Sequence, residues 1–449
     1  MNDHTRVNVK AFIDERPMSS NQWLLLVLCF LVVAIDGMDV AVMGFLAPSI
    51  LHEWDVSRAS FGLVMSAAPL GLVLGALIAG PMSDRFGRKL VLISSVFLFG
   101  VFTACTSFAH GLTSMAVLRL LTGLGLGAAM PNSSTLLSEY APERSRSLLV
   151  AIMFTGFNLG SGLVGFLVAW LNPLGWRTIL QLVSALAIIL VPILAILLPE
   201  SARFLVVRRR AADHIARVLG RISRTRFTAG TQFDAPEPPA TKRTPIRVLI
   251  SADYGVMTIA LWVTYFMGLL VIYLLTGWLP TLIKDAGLSV STAATITALF
   301  QIGGTVGAVL VGWAMDRARP TRIIAIAYVA GAACILAVGS AGPLSAWLGV
   351  LVAAAGFCMS GAQTGLNAFA PSCYPTMARA TGVSWMLGMG RFGSILGSSI
   401  GGVLLSLGWG FGAIISLLAV PAFVAGLAVL KARMSADPAM APTFPLAHT

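Results

Sequence analysis

Read along the chain, apolar residues recur in long runs broken by short polar stretches. Twelve windows of mostly apolar residues stand out, at 24–47, 60–80, 90–109, 114–136, 148–170, 177–198, 254–279, 292–314, 321–341, 345–370, 381–404 and 409–430. Each is about the 20 residues that a helix needs to cross a bilayer core. None shows the strict apolar–polar alternation of a barrel strand, so every window predicts a helix. The first window is too long for a signal peptide, lacks a small-residue cleavage site and leads into eleven more. The expected class is an all-α integral membrane protein.

One polar stretch is much longer than the rest. It separates windows six and seven, contains "RRR" at Arg208–Arg210 and ends in "DAPEPPATKRTP". The pattern predicts a cytoplasmic N-terminal tail over 1–22, a six-helix bundle over 23–198, a cytoplasmic linker over 199–252, a second six-helix bundle over 253–431 and a cytoplasmic tail over 432–449. The first part of the linker is expected to form a short surface helix and its Pro-rich part to lack structure. The halves read as distant repeats: "GPMSDRFGRK" after window two is matched by "GWAMDRARPTR" after window eight, and "SEYAPERSR" after window four by "SCYPTMARA" after window ten. Two pseudo-symmetric six-helix bundles joined by a linker are a transporter architecture.

Composition agrees, since 57% of residues are hydrophobic and only 11% charged. The net charge of +12 invites a nucleic-acid reading, but its distribution opposes one: 25 of the 30 Lys and Arg fall in segments that lie on one side when both termini are inside. The opposite loops carry only Arg58, Arg177 and Lys284. This bias places both termini in the cytoplasm. The five cysteines show no CxxC spacing and read as small packing residues. No metal-ligand cluster, nucleophile elbow or cofactor loop is found, so neither an enzyme nor a metal or other cofactor is expected.

The charges inside the windows carry the chemistry. Asp36 and Asp39 stand in the first, three residues apart and so on one helix face. At 1.5 Å per residue they lie about 18 and 22 Å into a core roughly 30 Å thick. An ionised Asp there costs at least about 2.5–3.5 kcal/mol unless paired, hydrated or protonated. That points to a proton-coupling pair, with a structural ion pair or capping pair as the plainer alternative. Arg119 sits about 8 Å in from the opposite face, near the same level, and is the natural counter-ion for one of the acids. Arg391 in window eleven lies about 16 Å in, with no acid of its own half at that depth. An anionic ligand suits it, because the guanidinium fork matches a carboxylate; pairing with Asp36 or Asp39 is the alternative. The histidines (His4, His52, His110, His214, His448) all fall in loops, tails or at a window edge, so coupling is left to the carboxylates. Asn132, Asn158, Gln301, Gln363 and Asn367 are candidates to line a cavity. Tyr265, Phe266, Trp278 and Phe300 are candidates to stack on an aromatic ring, and packing accounts for each equally well.

These motifs resemble the major facilitator superfamily. Gly80, Asp84, Arg85, Gly87, Arg88 and Lys89 match its loop 2–3 signature; Gly312, Asp316 and Arg317 match the weaker second copy. Arg119 followed by Gly123, Gly125 and Gly127 matches its fourth span, and "PESARFL" at Pro199–Leu205 the close of the first half. The resemblance implies a gating role for Gly80, Asp84, Arg85, Gly87, Arg88, Asp316 and Arg317. Glu139, Arg144 and Arg379 are expected in the same cytoplasmic charge network.

Within that superfamily, "DGMD" at Asp36–Asp39, "GWLPTLIKDAGLS" and "GMGRFGSILG" resemble the aromatic acid–proton symporter family, of the 4-hydroxybenzoate and benzoate type. The resemblance implies import of an aromatic carboxylate, driven by the proton gradient without a cofactor, through a monomer in the bacterial inner membrane. The expected substrate residues are Arg391, Asn158, Tyr265, Phe266, Gln301, Gln363 and Asn367; the proton-coupling residues are Asp36, Asp39 and Arg119. Competing readings are a transporter of another organic acid or sugar acid, a drug–proton antiporter, or a transporter-like receptor. The only partners expected are the substrate, protons and the lipid bilayer, with no nucleic acid.

Overall fold

The computed structural model describes residues 6–208, 211–223, 227, 231–234, 249, 251, 254–374 and 376–432. Its elements are β1 (Arg6–Asn8), α1 (Val9–Asp14), α2 (Ser20–Trp54), α3 (Arg58–Phe86), α4 (Arg88–Thr106), α5 (Leu112–Tyr140), α6 (Glu143–Leu171), α7 (Trp176–Leu197), α8 (Ala202–Val207), α9 (Ala212–Ser223), β2 (Gln232–Asp234), α10 (Gly255–Asp285), α11 (Val290–Met315), α12 (Pro320–Ala341), α13 (Leu348–Phe369), α14 (Thr376–Ser406), α15 (Phe411–Leu417) and α16 (Ala419–Val429).

All twelve windows are helical. Among the described residues eleven helices are long and apolar enough to cross a membrane. The remaining window falls on α14, 31 residues long, where Arg391 and many glycines and serines dilute the apolar content. The last span breaks at Leu418, between α15 and α16. Pro421 explains the break: it has no N–H to bond back one turn, and its ring crowds the carbonyl there. Local sequence sets other ends. Ser19 and Gln22 form a reciprocal capping box at the start of α2, and Ser57 caps α3 through the Ser60 amide.

The chain forms two compact units. The first comprises Met1–Pro239, Leu275–Ile302 and Ser398–Trp409; the second comprises Ala240–Leu274, Gly303–Gly397 and Gly410–Thr449. In the first unit α3 packs along α5, α2 along α6, and α4 along α5 and α7. The α3–α5 seam is backbone on backbone. Gly71 and Gly75 lie against the carbonyls of Leu120 and Leu124, and Gly123 and Gly127 against those of Ala68 and Leu72, with no room for a Cβ. Leu25, Cys29, Val32, Val96, Phe99, Leu126 and Leu194 are core residues here. In the second unit α12 packs along α13, α15 and α16. Leu63, Leu77, Ile196, Ile326 and Val350 stay exposed, as side chains facing lipid do.

The N-terminal segment corrects the expectation of a plain tail. β1 pairs in parallel with β2 of the linker, Val7 opposite Phe233. Val9 and Ile13 of α1 join one core with Ile215 and Leu219 of α9. Phe12 and Phe233 both pack on Phe227, with ring centroids 5.2 Å apart. In the first part of the linker, where one short helix is expected, the described residues form two, α8 and α9. Its Pro-rich stretch, 235–248, lies outside the described residues.

Candidate functional site

In the first unit Asp39 of α2 and Arg119 of α5 meet beside α4. Asp39 is 2% exposed and Arg119 1%. Arg119 Nη1 donates to Asp39 Oδ2 at 3.2 Å. Nη2 donates to Thr103 Oγ1 at 3.0 Å and to Thr106 Oγ1 at 3.2 Å. Thr103 in turn donates to Asp39 Oδ1. So both ends of the pair are tied to one hydroxyl, which is what makes a buried ion pair tolerable. Thr103 and Thr106 escaped the sequence reading, although two threonines three apart in an apolar helix share a face and were visible as "TACT". Asp36, one turn before Asp39, is 1% exposed. The helix holding both acids is pressed on α6: Gly37 lies against the Phe157 backbone, and Ser161 donates to the Gly37 carbonyl at 2.8 Å. Asn158 is half-buried on α6 beside that contact.

The same unit includes the ends of α10, α11 and α14 nearest the α2–α3 turn. Arg58 donates through Nε and Nη2 to Asp285 Oδ2 at 2.9 and 2.7 Å. Trp278, a stacking candidate, is fully buried; its indole N–H donates to the Ser398 carbonyl at 2.7 Å and its ring meets Phe61 edge-on. Phe300 is also fully buried. Both are packing residues in this structure. Gln301 is buried and donates to Thr276 Oγ1 at 3.0 Å. Asn132 bonds Ser83 and the Ala128 carbonyl.

At the other end of the first unit, the "DRFGRK" turn is built around a residue the sequence reading did not single out. Glu200 Oε1 accepts from the backbone amides of Arg88 and Lys89 at 3.0 and 3.1 Å and so caps α4. Gly87 adopts φ +99°, and a Cβ there would strike the Glu200 carboxylate. Arg88 pairs with Asp84 at 3.3 Å and approaches Glu139 at 3.7 Å. Glu139 also accepts from Ser201, and the Asp84 carbonyl accepts from Arg208 at 2.8 Å. Arg85 is exposed beside Phe86. Gly80 has open space at its Cβ position. Arg144, expected in this network, donates instead to the Arg16 carbonyl at 3.2 Å.

In the second unit Asp316 is exposed and Arg317 lies over the Trp313 ring at 3.9 Å. Arg379 is half-buried on α14.

The second unit holds Arg391. Here α14 approaches α10 through glycines: Gly390 makes room for the Tyr265 ring, and Gly393 abuts the Phe266 carbonyl. "GMGRFG" thus presents Arg391 beside Tyr265, whose hydroxyl also neighbours Gln363 and Asn367. Tyr265 and Gln363 are buried, Phe266 and Arg391 half-buried, and Asn367 is exposed. Among the described residues no carboxylate lies within 4 Å of Arg391. Trp262 and Trp385 stack at 5.8 Å in the same unit. The group combines a guanidinium, a phenol and two amides, a set suited to a carboxylate attached to a polar ring. No group of three or more His, Cys, Asp or Glu able to hold a metal ion occurs among the described residues.

The sequence profile of the Major Facilitator Superfamily matches residues 29–381 and 261–445. A gallate transporter of Pseudomonas putida is 58% identical over 438 residues, 97% of each chain. A 4-hydroxybenzoate transporter, PcaK of Pseudomonas aeruginosa, is 49% identical over 427 residues, 95% of each chain. Among solved structures, the inward open xylose transporter XylE of Escherichia coli superposes with a TM-score of 0.73 at 19% identity, covering 93% of this chain and 98% of that one. These relatives are named transporters, not enzymes.

Proposed function

We propose that this chain, which belongs to the major facilitator superfamily, imports hydroxylated aromatic carboxylates together with protons. One observation carries the substrate reading: Arg391 is a half-buried guanidinium beside Tyr265 with no carboxylate within 4 Å among the described residues. A cation so placed favours an anionic ligand, and its planar fork favours a carboxylate. The names of the gallate and 4-hydroxybenzoate relatives support an aromatic acid. Arg391, Tyr265, Phe266, Gln363 and Asn367 take the substrate in this reading.

Proton coupling rests on Asp36, Asp39 and Arg119. Protonating Asp39 cancels one charge of a buried pair and weakens its hold on Arg119, which is how a single proton biases two conformations. The network of Asp84, Arg88, Glu139 and Glu200 serves as the cytoplasmic gate, with Asp316, Arg317 and Arg379 as its counterpart in the second half. Access alternates between the faces as the bundles 23–198 and 253–431 rock. The bias of Lys and Arg supports cytoplasmic termini in an inner membrane. No cofactor takes part, and the monomer is the working unit.

The test is uptake of labelled gallate and 4-hydroxybenzoate into proteoliposomes with and without an imposed inward proton gradient. Accumulation that requires the gradient is the expected result. Export of organic cations, or uptake indifferent to Arg391→Ala, would sink the reading.

A further inference from the structure

Gln363 is oriented by a residue that the transport reading does not use. Tyr328 of α12 is fully buried, and its hydroxyl donates to Gln363 Oε1 at 2.6 Å. Gly268 of α10 leaves the space this contact fills, since a Cβ there would overlap both the Gln363 Oε1 and the Tyr328 hydroxyl. With Oε1 claimed, the amide must turn Nε2 the other way. That nitrogen is buried in a residue only 6% exposed, and the Tyr265 hydroxyl beside it can accept from only one of its two hydrogens. One turn earlier on the same face, the Ser360 hydroxyl is buried and without a hydrogen bond.

A buried amide N–H without an acceptor is costly, and native proteins keep few of them. Here the deficit sits beside Tyr265, the neighbour of Arg391. Once the guanidinium fork has taken both carboxylate oxygens, the polar groups left on an aromatic acid are its ring hydroxyls. A phenolic oxygen of the substrate is an acceptor for the second Nε2 hydrogen, and its own O–H can donate onward to an amide oxygen such as that of Asn367.

We propose that Gln363 binds a ring hydroxyl of the substrate and that Tyr328 is the positioning residue that holds its amide in the donating orientation. The site thereby selects hydroxylated aromatic carboxylates over their unsubstituted counterparts. This rests on the reading of Arg391 as the carboxylate site. A site built to bond a substrate hydroxyl disfavours the analogue that lacks it, because the protein donor is then left unpaired.

The experiment measures how well unlabelled 4-hydroxybenzoate and benzoate inhibit uptake of labelled gallate into proteoliposomes. For the unaltered protein, 4-hydroxybenzoate is expected to inhibit at a concentration about tenfold below benzoate. Tyr328→Phe and Gln363→Met should each shrink that preference to about threefold or less, by weakening 4-hydroxybenzoate while leaving benzoate nearly unchanged. A merely structural role for Tyr328 would weaken both acids alike, and that result overturns the proposal. So does an unaltered protein that treats the two acids equally, a comparison that needs no variant to fold. The outcomes separate from failure of the underlying reading. If Arg391 is not the carboxylate site, Arg391→Lys leaves both acids unaffected; if the chain carries no aromatic acid, the unaltered protein takes up no gallate.

Discussion

Thr103 donates to Asp39 while accepting from Arg119 Nη2 at 3.0 Å, so one hydroxyl joins both members of the buried ion pair. Thr103→Val removes both bonds and strands a donor and an acceptor in the core, each costing about 1–3 kcal/mol. The expected outcome is a lower thermal midpoint in detergent and weaker accumulation under a proton gradient, with Thr103→Ser restoring both. Equal accumulation by the valine and serine variants would show that the hydroxyl is dispensable.

Asp39 and Asp36 are predicted to separate. Asp39 is bonded to Arg119, so Asp39→Asn leaves a buried guanidinium without its counter-charge, a loss of about 3–5 kcal/mol. Pairing it with Arg119→Gln should recover much of that stability, because a neutral pair needs no compensation, yet should not recover gradient-driven accumulation. A double-mutant cycle on thermal midpoints measures the first part and proteoliposome uptake the second. If Asp36→Asn and Asp39→Asn both accumulate substrate normally, neither acid couples transport to protons.

How much of the structure is legible in the sequence depends on range. The Asp39–Arg119 pair was legible because helix rise converts position into depth, and two charges at one depth in a bilayer find each other. The spans were legible for the same reason. The β1–β2 pairing was not: three-residue strands have no periodicity, and their partners are more than two hundred positions apart. Glu200 stood in a recognised segment, but its role as the cap of α4 spans 112 residues of sequence. Trp278 shows the converse limit. An indole in an apolar helix reads equally as binding surface or core, and only the Ser398 carbonyl on its N–H decides for core.

Arg391 should be cheap to alter structurally and expensive functionally. With no carboxylate within 4 Å among the described residues, Arg391→Lys strands no described acid, and the thermal midpoint should stay close to that of the unaltered protein. Lysine keeps the charge but loses the two-pronged fork, so KM for aromatic acids should rise about tenfold or more. A KM that stays put while the midpoint collapses would mean that Arg391 serves the fold rather than the ligand.

Two glycines of one motif, Gly80 and Gly87, should respond oppositely to the same substitution. Gly87 sits at φ +99°, where L side chains are strained, and a Cβ would meet the Glu200 carboxylate that accepts the Arg88 and Lys89 amides. Gly87→Ala therefore distorts the turn and displaces the cap of α4, whose loss alone costs about 0.5–2 kcal/mol. Gly80 lies inside α3 with open space around its Cβ position, so alanine adds nothing that collides and favours the helix by up to about 1 kcal/mol. Thermal midpoints should fall for Gly87→Ala and hold or rise for Gly80→Ala. Glu200→Gln, which keeps an acceptor but removes the charge from the helix N-terminus, should fall between them. If Glu200→Gln and Glu200→Ala both leave the midpoint unchanged, the carboxylate does not hold this turn, and the strain at Gly87 must act through the backbone alone.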